Sequence, residues 1–272
     1  MSRQAAPVAA MTAMSARSWT TATPRRSSEA VSQPDGGVLR PGGRKLTERL
    51  LGLAGVPNVD VVELAPGLGR TAASILELGP ASYTGVDSDP DAVAAVRRVV
   101  GSAAQLVEAD AAEIGLDGES ADLVIGEALL TMQGEKTKNA IVAEAARILR
   151  PGGRYAIHEL GLVPEDLSED IKTEIRKGLA RAIKVNARPL TLTERTEVLE
   201  ANGFQVIKVS TAPMALLQPR RIIADEGLVG ALRFVKNLLL NPDARKRVLQ
   251  MRRTFNTYRD HLNAVAIVAT RK

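Results

Sequence analysis

The sequence predicts an α/β domain built on a doubly wound, largely parallel sheet, and three observations carry that expectation. Short, continuous apolar runs recur along the chain and are separated by segments of helical period, the pattern of strands buried on both faces beneath covering helices. The first run, Val59 to Leu64, ends in an acidic residue and a glycine turn that leads straight into a helix. The length of 272 residues, 45% hydrophobic and 25% charged, is enough for one large core.

The elements follow in order. Arg40-Pro41-Gly42-Gly43 reads as a turn, and the spacing of Leu46, Leu50, Leu51 and Leu53 as a short amphipathic helix. Val59–Leu64 is a β-branched run, Thr71–Leu78 is helical and Tyr83–Val86 is a second strand. Asp89 and Pro90 supply a cap and a first-turn proline for the helix Asp91–Val100. Gln105–Ala109, Asp122–Ile125 and Tyr155–Leu160 are the next strands, with a helix over Lys136–Leu149 before the last of them. Two helices follow, Ser168–Val185 and Leu192–Ala201, the second opened by Thr191 with Glu194 in capping-box spacing and closed by Asn202-Gly203. Phe204–Val209 and His261–Thr270 are the sixth and seventh strands, around a basic insertion at 214–258 with helical period over Leu228–Leu240 and Ala244–Tyr258.

Composition excludes several chemistries. The chain has no cysteine, which removes disulfide scaffolds, thiolate metal sites and cysteine nucleophiles. No stretch approaches the ~18 apolar residues of a transmembrane helix, so a cytoplasmic protein is expected. Residues 1–37 are rich in Ala, Ser, Thr, Arg and Pro and show no period, which predicts disorder. A flexible leader, or a start placed ahead of Met11 or Met14, explains them more simply than a transit peptide. Charge is unevenly spread: residues 1–37 carry 4 basic and 2 acidic side chains, 38–213 carry 20 and 25, and 214–272 carry 12 and 4. A mildly acidic body with a basic last fifth is not the footprint of a protein that coats nucleic acid.

The chemistry concentrates at Glu63-Leu64-Ala65-Pro66-Gly67-Leu68-Gly69-Arg70. Glycines let backbone approach a ligand closely, and the helix that follows presents unpaired N–H groups. Taken alone, the segment leaves the cofactor open. Gly67-x-Gly69-x-x-Ala72 also fits a dinucleotide fingerprint, with Asp87 about 20 residues on, where an acidic group holds a ribose. Against that reading, the sequence has no Tyr-x-x-x-Lys catalytic pair.

Three further acidic residues stand at successive strand ends: Asp87 in Gly85-Val86-Asp87, Asp110 directly after the third strand, and Glu127 in Ile125-Gly126-Glu127. The segment Arg147-Ile148-Leu149-Arg150-Pro151-Gly152-Gly153 then ends a helix and turns into the fifth strand. Over residues 59–160 the sequence resembles the class I S-adenosylmethionine-dependent methyltransferases, in the small-molecule branch that includes quinone-biosynthesis enzymes. The resemblance implies a Rossmann-like, doubly wound, seven-stranded sheet with parallel strands, an antiparallel last strand and helical lid elements. It implies that Glu63, Ala65, Gly67 and Gly69 surround the methionine part of S-adenosylmethionine, that Asp87 accepts both ribose hydroxyls, and that Asp110 and Ala111 contact the adenine. Glu127 falls where the family places groups beside the reactive methyl. Ala65 departs from the family pattern by replacing its first glycine; a negative φ and a stiffer loop are expected there, with Pro66 pressing it toward extended backbone.

Methyl transfer from a sulfonium is an in-line displacement that depends mainly on alignment. If the acceptor is a hydroxyl or thiol, His158 at the end of the fifth strand is the candidate base, with Glu127 and Glu159 in reserve. His261 reads as structural. The acceptor pocket is implied to lie under about Val38–Leu53, Val163–Leu190 and Met214–Tyr258. Basic residues in the last segment admit an anionic or amphipathic small acceptor, although a solvated face over the stripe Val248, Met251, Phe255 and Tyr258 explains them more simply. An RNA acceptor is the alternative, weakened by 3% aromatics and by Glu127-Ala128-Leu129-Leu130 where base-amine enzymes of the family carry Asn/Asp-Pro-Pro-Tyr. A non-enzymatic cofactor-binding protein is a further alternative. No Asp-Asn metal pair presents itself.

Overall fold

The computed structural model describes residues 41–183, 185–214, 240 and 242–272. The expectation of disorder over 1–37, and all but one residue of the helix expected over 228–240, lie outside these residues. Seven strands form one sheet: β1 (Asp60–Leu64), β2 (Ser82–Asp87), β3 (Gln105–Glu108), β4 (Ala121–Glu127), β5 (Leu149–Leu162), β6 (Phe204–Pro213) and β7 (Leu262–Arg271). Their order is β3-β2-β1-β4-β5-β7-β6. β1 to β5 run parallel, and β7 lies antiparallel between β5 and β6.

The helices are α1 (Gly43–Ala54), α2 (Arg70–Glu77), α3 (Pro90–Val100), α4 (Glu135–Ile148), α5 (Glu169–Ile183), α6 (Leu192–Ala201) and α7 (Pro242–Thr257). Alternation along each strand divides the core into two faces. Val62, Leu64, Val124, Tyr155 and Ile157 point toward α4 and α6. Val61, Leu123, Ile125 and Ala156 point toward α1, α2 and α3. A third cluster joins α5 and α7 to the end of β5 through Leu160, Leu162, Ile175, Leu179 and Phe255. Met251 and Tyr258 pack against that cluster, so the apolar stripe of α7 faces the core while Leu249 on the same helix is exposed.

Local chemistry sets the element ends. Asp89 caps α3 by accepting from Asp91 N, with Pro90 in the first turn. Thr191 and Glu194 form a reciprocal capping box on α6. β5 begins earlier than its apolar run suggested: Leu149 pairs with Ala121, and the register shifts before Arg154 pairs with Leu123. Gly152, at φ 76°, makes that kink, and Arg150 holds it to Asp60 and Asp122 at 3.0 and 2.8 Å. No helix among the described residues is long and apolar enough to cross a membrane.

Candidate active site

Strand order brings the acidic strand ends together along one edge of the sheet. β1 lies between β2 and β4, with Glu63 level with Gly85 and Ile125. Asp87 ends β2 beside β3, and Glu127 ends β4 level with His158 on β5. Backbone bonds carry each pairing one step past the strands: Ala65 N donates to Val86 O, Ala109 N to Asp87 O and Ala128 N to His158 O. The reversal of connection direction between β1 and β4 is the place where ligands bind in open α/β sheets.

Glu63 is only 3% exposed and accepts a 2.6 Å hydrogen bond from the Tyr83 hydroxyl. Burial and the adjacent carboxylate push the Tyr83 phenol far up, so it stays a donor. Gly85 makes room for this pair, since a Cβ there would lie 3.0 Å from the Tyr83 oxygen and 2.9 Å from Leu106. Sequence reasoning missed Tyr83; its signal is the glycine two residues on, the same face of a strand.

The turn after β1 differs from expectation at Ala65. Its φ is +52°, not negative, so this alanine adopts the left-handed conformation for which the family uses glycine. Ala65 takes this conformation, which costs a non-glycine residue about 1–2 kcal/mol, against the extended preference that Pro66 imposes, while its N–H bonds Val86 O at 2.8 Å. Gly67 and Gly69 also have positive φ, 55° and 75°. Gly69 additionally needs to lack a side chain, because a Cβ would come within 3.3 Å of Val99 and of the Val96 backbone on α3.

This turn suits the methionine end of an adenosyl cofactor. A Cβ on Gly67 would meet nothing nearer than Ala65 O at 4.0 Å, so its backbone is open to a neighbour. The first turn of α2 has neither a side-chain cap nor an acidic residue, and a helix N-terminus favours an anionic group. Asp87 closes the other side. Its Oδ2 accepts from Gly67 N at 3.4 Å and its Oδ1 from Asp89 N at 3.0 Å. Burial raises its pKa above the ordinary carboxylate value, only partly offset by those backbone donors. Asp110 is exposed and accepts from Ala112 N at 2.8 Å, so it shapes its own turn, while Ala111 packs against the α4-side core.

Glu127 and His158 form the second half of the site. Glu127 accepts from Thr47 on α1 at 2.6 Å and from Thr71 on α2 at 2.5 Å. His158, 1% exposed, sets Nδ1 2.8 Å from Glu127 Oε1 and Nε2 against the carbonyl of Pro41. A carbonyl only accepts, so Nε2 is the donor in that contact. Both ring nitrogens of His158 are thus engaged by neighbours within the chain. Thr47, Thr71 and the Pro41 carbonyl were not singled out from sequence. They lie 56 to 117 positions from their partners, and only the fold brings them in. Glu159, the reserve base, is fully buried and accepts from Leu129 N, Leu130 N, Thr131 N and Thr131 Oγ1. It fixes the loop after β4. His261 Nδ1 sits 3.3 Å from Val163 O, at the entry to β7.

Comparison with known proteins agrees with this geometry. A methyltransferase-domain family profile matches residues 61–153, the span from β1 into β5. An uncharacterized protein of Haemophilus influenzae is 31% identical over 235 residues, covering 84% of this chain and 91% of its own. Among solved structures, a Geobacter sulfurreducens S-adenosylmethionine-dependent methyltransferase in complex with S-adenosylhomocysteine aligns with TM-score 0.63 at 18% identity. That alignment covers 90% of this chain and 98% of the other. Haemonchus contortus phosphoethanolamine N-methyltransferase 2, in complex with phosphomonomethylethanolamine and S-adenosylhomocysteine, aligns with TM-score 0.63 at 19% identity over 85% of this chain and 53% of the other. The fold is that of a Rossmann-like methyltransferase. The chain belongs to the class I S-adenosylmethionine-dependent methyltransferases, and its cofactor is S-adenosylmethionine.

Proposed function

We propose that this enzyme methylates a small-molecule acceptor bound over the carboxyl ends of β4 and β5, with Glu63, Ala65, Gly67, Gly69, Asp87, Asp110 and Ala111 holding the cofactor. The observation that carries the reading is the ordered set of acidic and left-handed residues on four successive strand ends. S-adenosylmethionine, when bound, supplies a methyl group on a positively charged sulfur.

The residues of the chain then do the positioning. Asp87 accepts the ribose hydroxyls, a task that suits its paired oxygens. Asp110 and Ala111 border the adenine. Glu127 places a carboxylate beside the reacting methyl, and His158 holds Glu127 and the start of α1 in place. Catalysis of this kind comes from alignment and exclusion of water. The packing of α5 and α7 over the end of β5 supports a covered, small acceptor. So do the low aromatic content and the phosphoethanolamine enzyme among the structural neighbours. Incubation with methyl-labelled cofactor, a panel of small amines, hydroxyl compounds and phosphorylated amino alcohols, and total RNA tests the reading. Label in a small molecule supports it; label in RNA alone contradicts it.

A further inference from the structure

On the opposite face of β5 from His158 lies a buried polar cluster to which methyl transfer assigns no role. Arg195 of α6 is 1% exposed. Its Nη2 donates to the Leu160 carbonyl at 2.9 Å, but Nε and Nη1 have no hydrogen-bond partner among the described residues. The Tyr155 hydroxyl, fully buried, likewise has none there. Lys138 of α4, also buried, donates to the Arg188 carbonyl at 3.3 Å, which leaves two more ammonium hydrogens to place.

Lys138 feels Arg195, Arg176 and Arg188 and one carboxylate, Glu159. Glu159 and Glu194 both attract Arg195, but Glu194 is taken by Lys172 and Thr191 N, and the two oxygens of Glu159 already accept four hydrogen bonds from the loop after β4, which fills a carboxylate's usual capacity. A buried guanidinium with two of its three nitrogens unpaired is costly, and so is an unpaired phenol. Donors therefore outnumber acceptors in one region bounded by α4, α6 and β5. Arg176, half-buried and 3.6 Å from Glu169, and the exposed Arg188 also act on Lys138. Gly126 borders it too, since a Cβ there would lie 3.6 Å from the Tyr155 oxygen.

We propose that a small oxyanion or carboxylate group binds beneath the loop after β4, held by Arg195, Lys138 and Tyr155. Its source is either a free anion or the acid group of the methyl acceptor; the second source rests on the small-acceptor function proposed above. Binding there brings negative charge to Arg195 and ties α6 to α4 behind the loop that follows Glu127.

The test uses the whole protein, with thermal unfolding followed at pH 7 and constant ionic strength while bulky sodium gluconate is exchanged for sodium phosphate or sodium acetate. A saturable Tm rise of a few degrees is expected. It should be lost in Arg195→Met and Lys138→Met and reduced in Tyr155→Phe, which keeps the ring and serves if the charged variants do not fold. No rise above gluconate with either anion, or the same rise in every folded variant, overturns the proposal. Phosphate that raises the acceptor's KM at constant kcat identifies the acceptor's acid group as occupant; a Tm rise with KM unchanged identifies a free anion. The Tm readout needs neither cofactor nor acceptor. Methyl transfer to a small molecule without anion binding therefore overturns this site alone, and anion binding without methyl transfer overturns the proposed function alone.

Discussion

His158 Nδ1 lies 2.8 Å from Glu127 Oε1, and the same histidine turns its other nitrogen to the carbonyl of Pro41. Because Thr47 also donates to Glu127, the start of α1 is fastened at two points to the ends of β4 and β5. The helix that would cover a substrate is thus held by the residues expected beside the reacting methyl.

A positioning role and a base role for His158 separate by substitution. His158→Ala removes buried hydrogen bonds and should destabilise the fold by about 1–3 kcal/mol while lowering turnover. His158→Gln, which retains an amide donor, should recover most of kcat. A base would instead lose kcat equally in both variants, together with an ionisation in the pH–kcat profile. Urea unfolding and pH-dependent kinetics on the two variants decide between them.

Ala65 stores strain in the cofactor turn. Replacing it with glycine at φ +52° should raise stability by up to about 1 kcal/mol, the left-handed cost less the extra unfolded-chain freedom of glycine. Ala65→Val should lower it by about 1–2 kcal/mol, since a β-branched residue fits left-handed backbone worse. Chemical denaturation without cofactor measures both.

Asp87 carries a second opposition between stability and binding. Its folded-state pKa is raised by burial, so the charged form is penalised in the cofactor-free protein. The penalty is absent below the unfolded carboxyl value, grows between the unfolded and folded values, and is complete above the folded one. Asp87→Asn should therefore unfold at higher urea than wild type at pH 7, with the gap closing toward pH 3. Equal midpoints at pH 7 would contradict the assignment.

Lys138 gives a basic counterpart. Burial first, and then Arg195, push it down from 10.5 to about 8, with Glu159 opposing and Arg176 and Arg188 adding. A base whose folded value is lowered destabilises the fold below that value and ceases to do so above its unfolded one. Wild type should thus gain about 3 kcal/mol relative to Lys138→Met between pH 7.5 and 10.5. A constant difference across that range would show that Lys138 is not strained by its neighbours.

Much of this architecture can be read along the chain because its signals are local. Asp89 and Pro90, Thr191 and Glu194, and the apolar runs of β1 and β4 act within a few residues of themselves, and each element forms where those signals stand. The acidic strand ends are legible for the same reason: a parallel strand finishes where its apolar run stops. Partners such as Thr47 for Glu127, Tyr83 for Glu63 and Arg195 for Leu160 are not. They depend on which faces α1, β2 and α6 present, and no single segment encodes that. Ala65 misled for another reason: the preference of alanine and the extended bias of Pro66 both yield to the turn that the ladder bond at Val86 anchors.

Calorimetric titration with S-adenosylmethionine, S-adenosylhomocysteine and NAD, on wild type and Asp87→Ala, tests the cofactor site most directly. The account predicts micromolar binding of both adenosyl ligands, weakened in the variant by more than about 1.5 kcal/mol, the scale of a lost charged acceptor. Undiminished binding by Asp87→Ala, or binding of NAD alone, would contradict it.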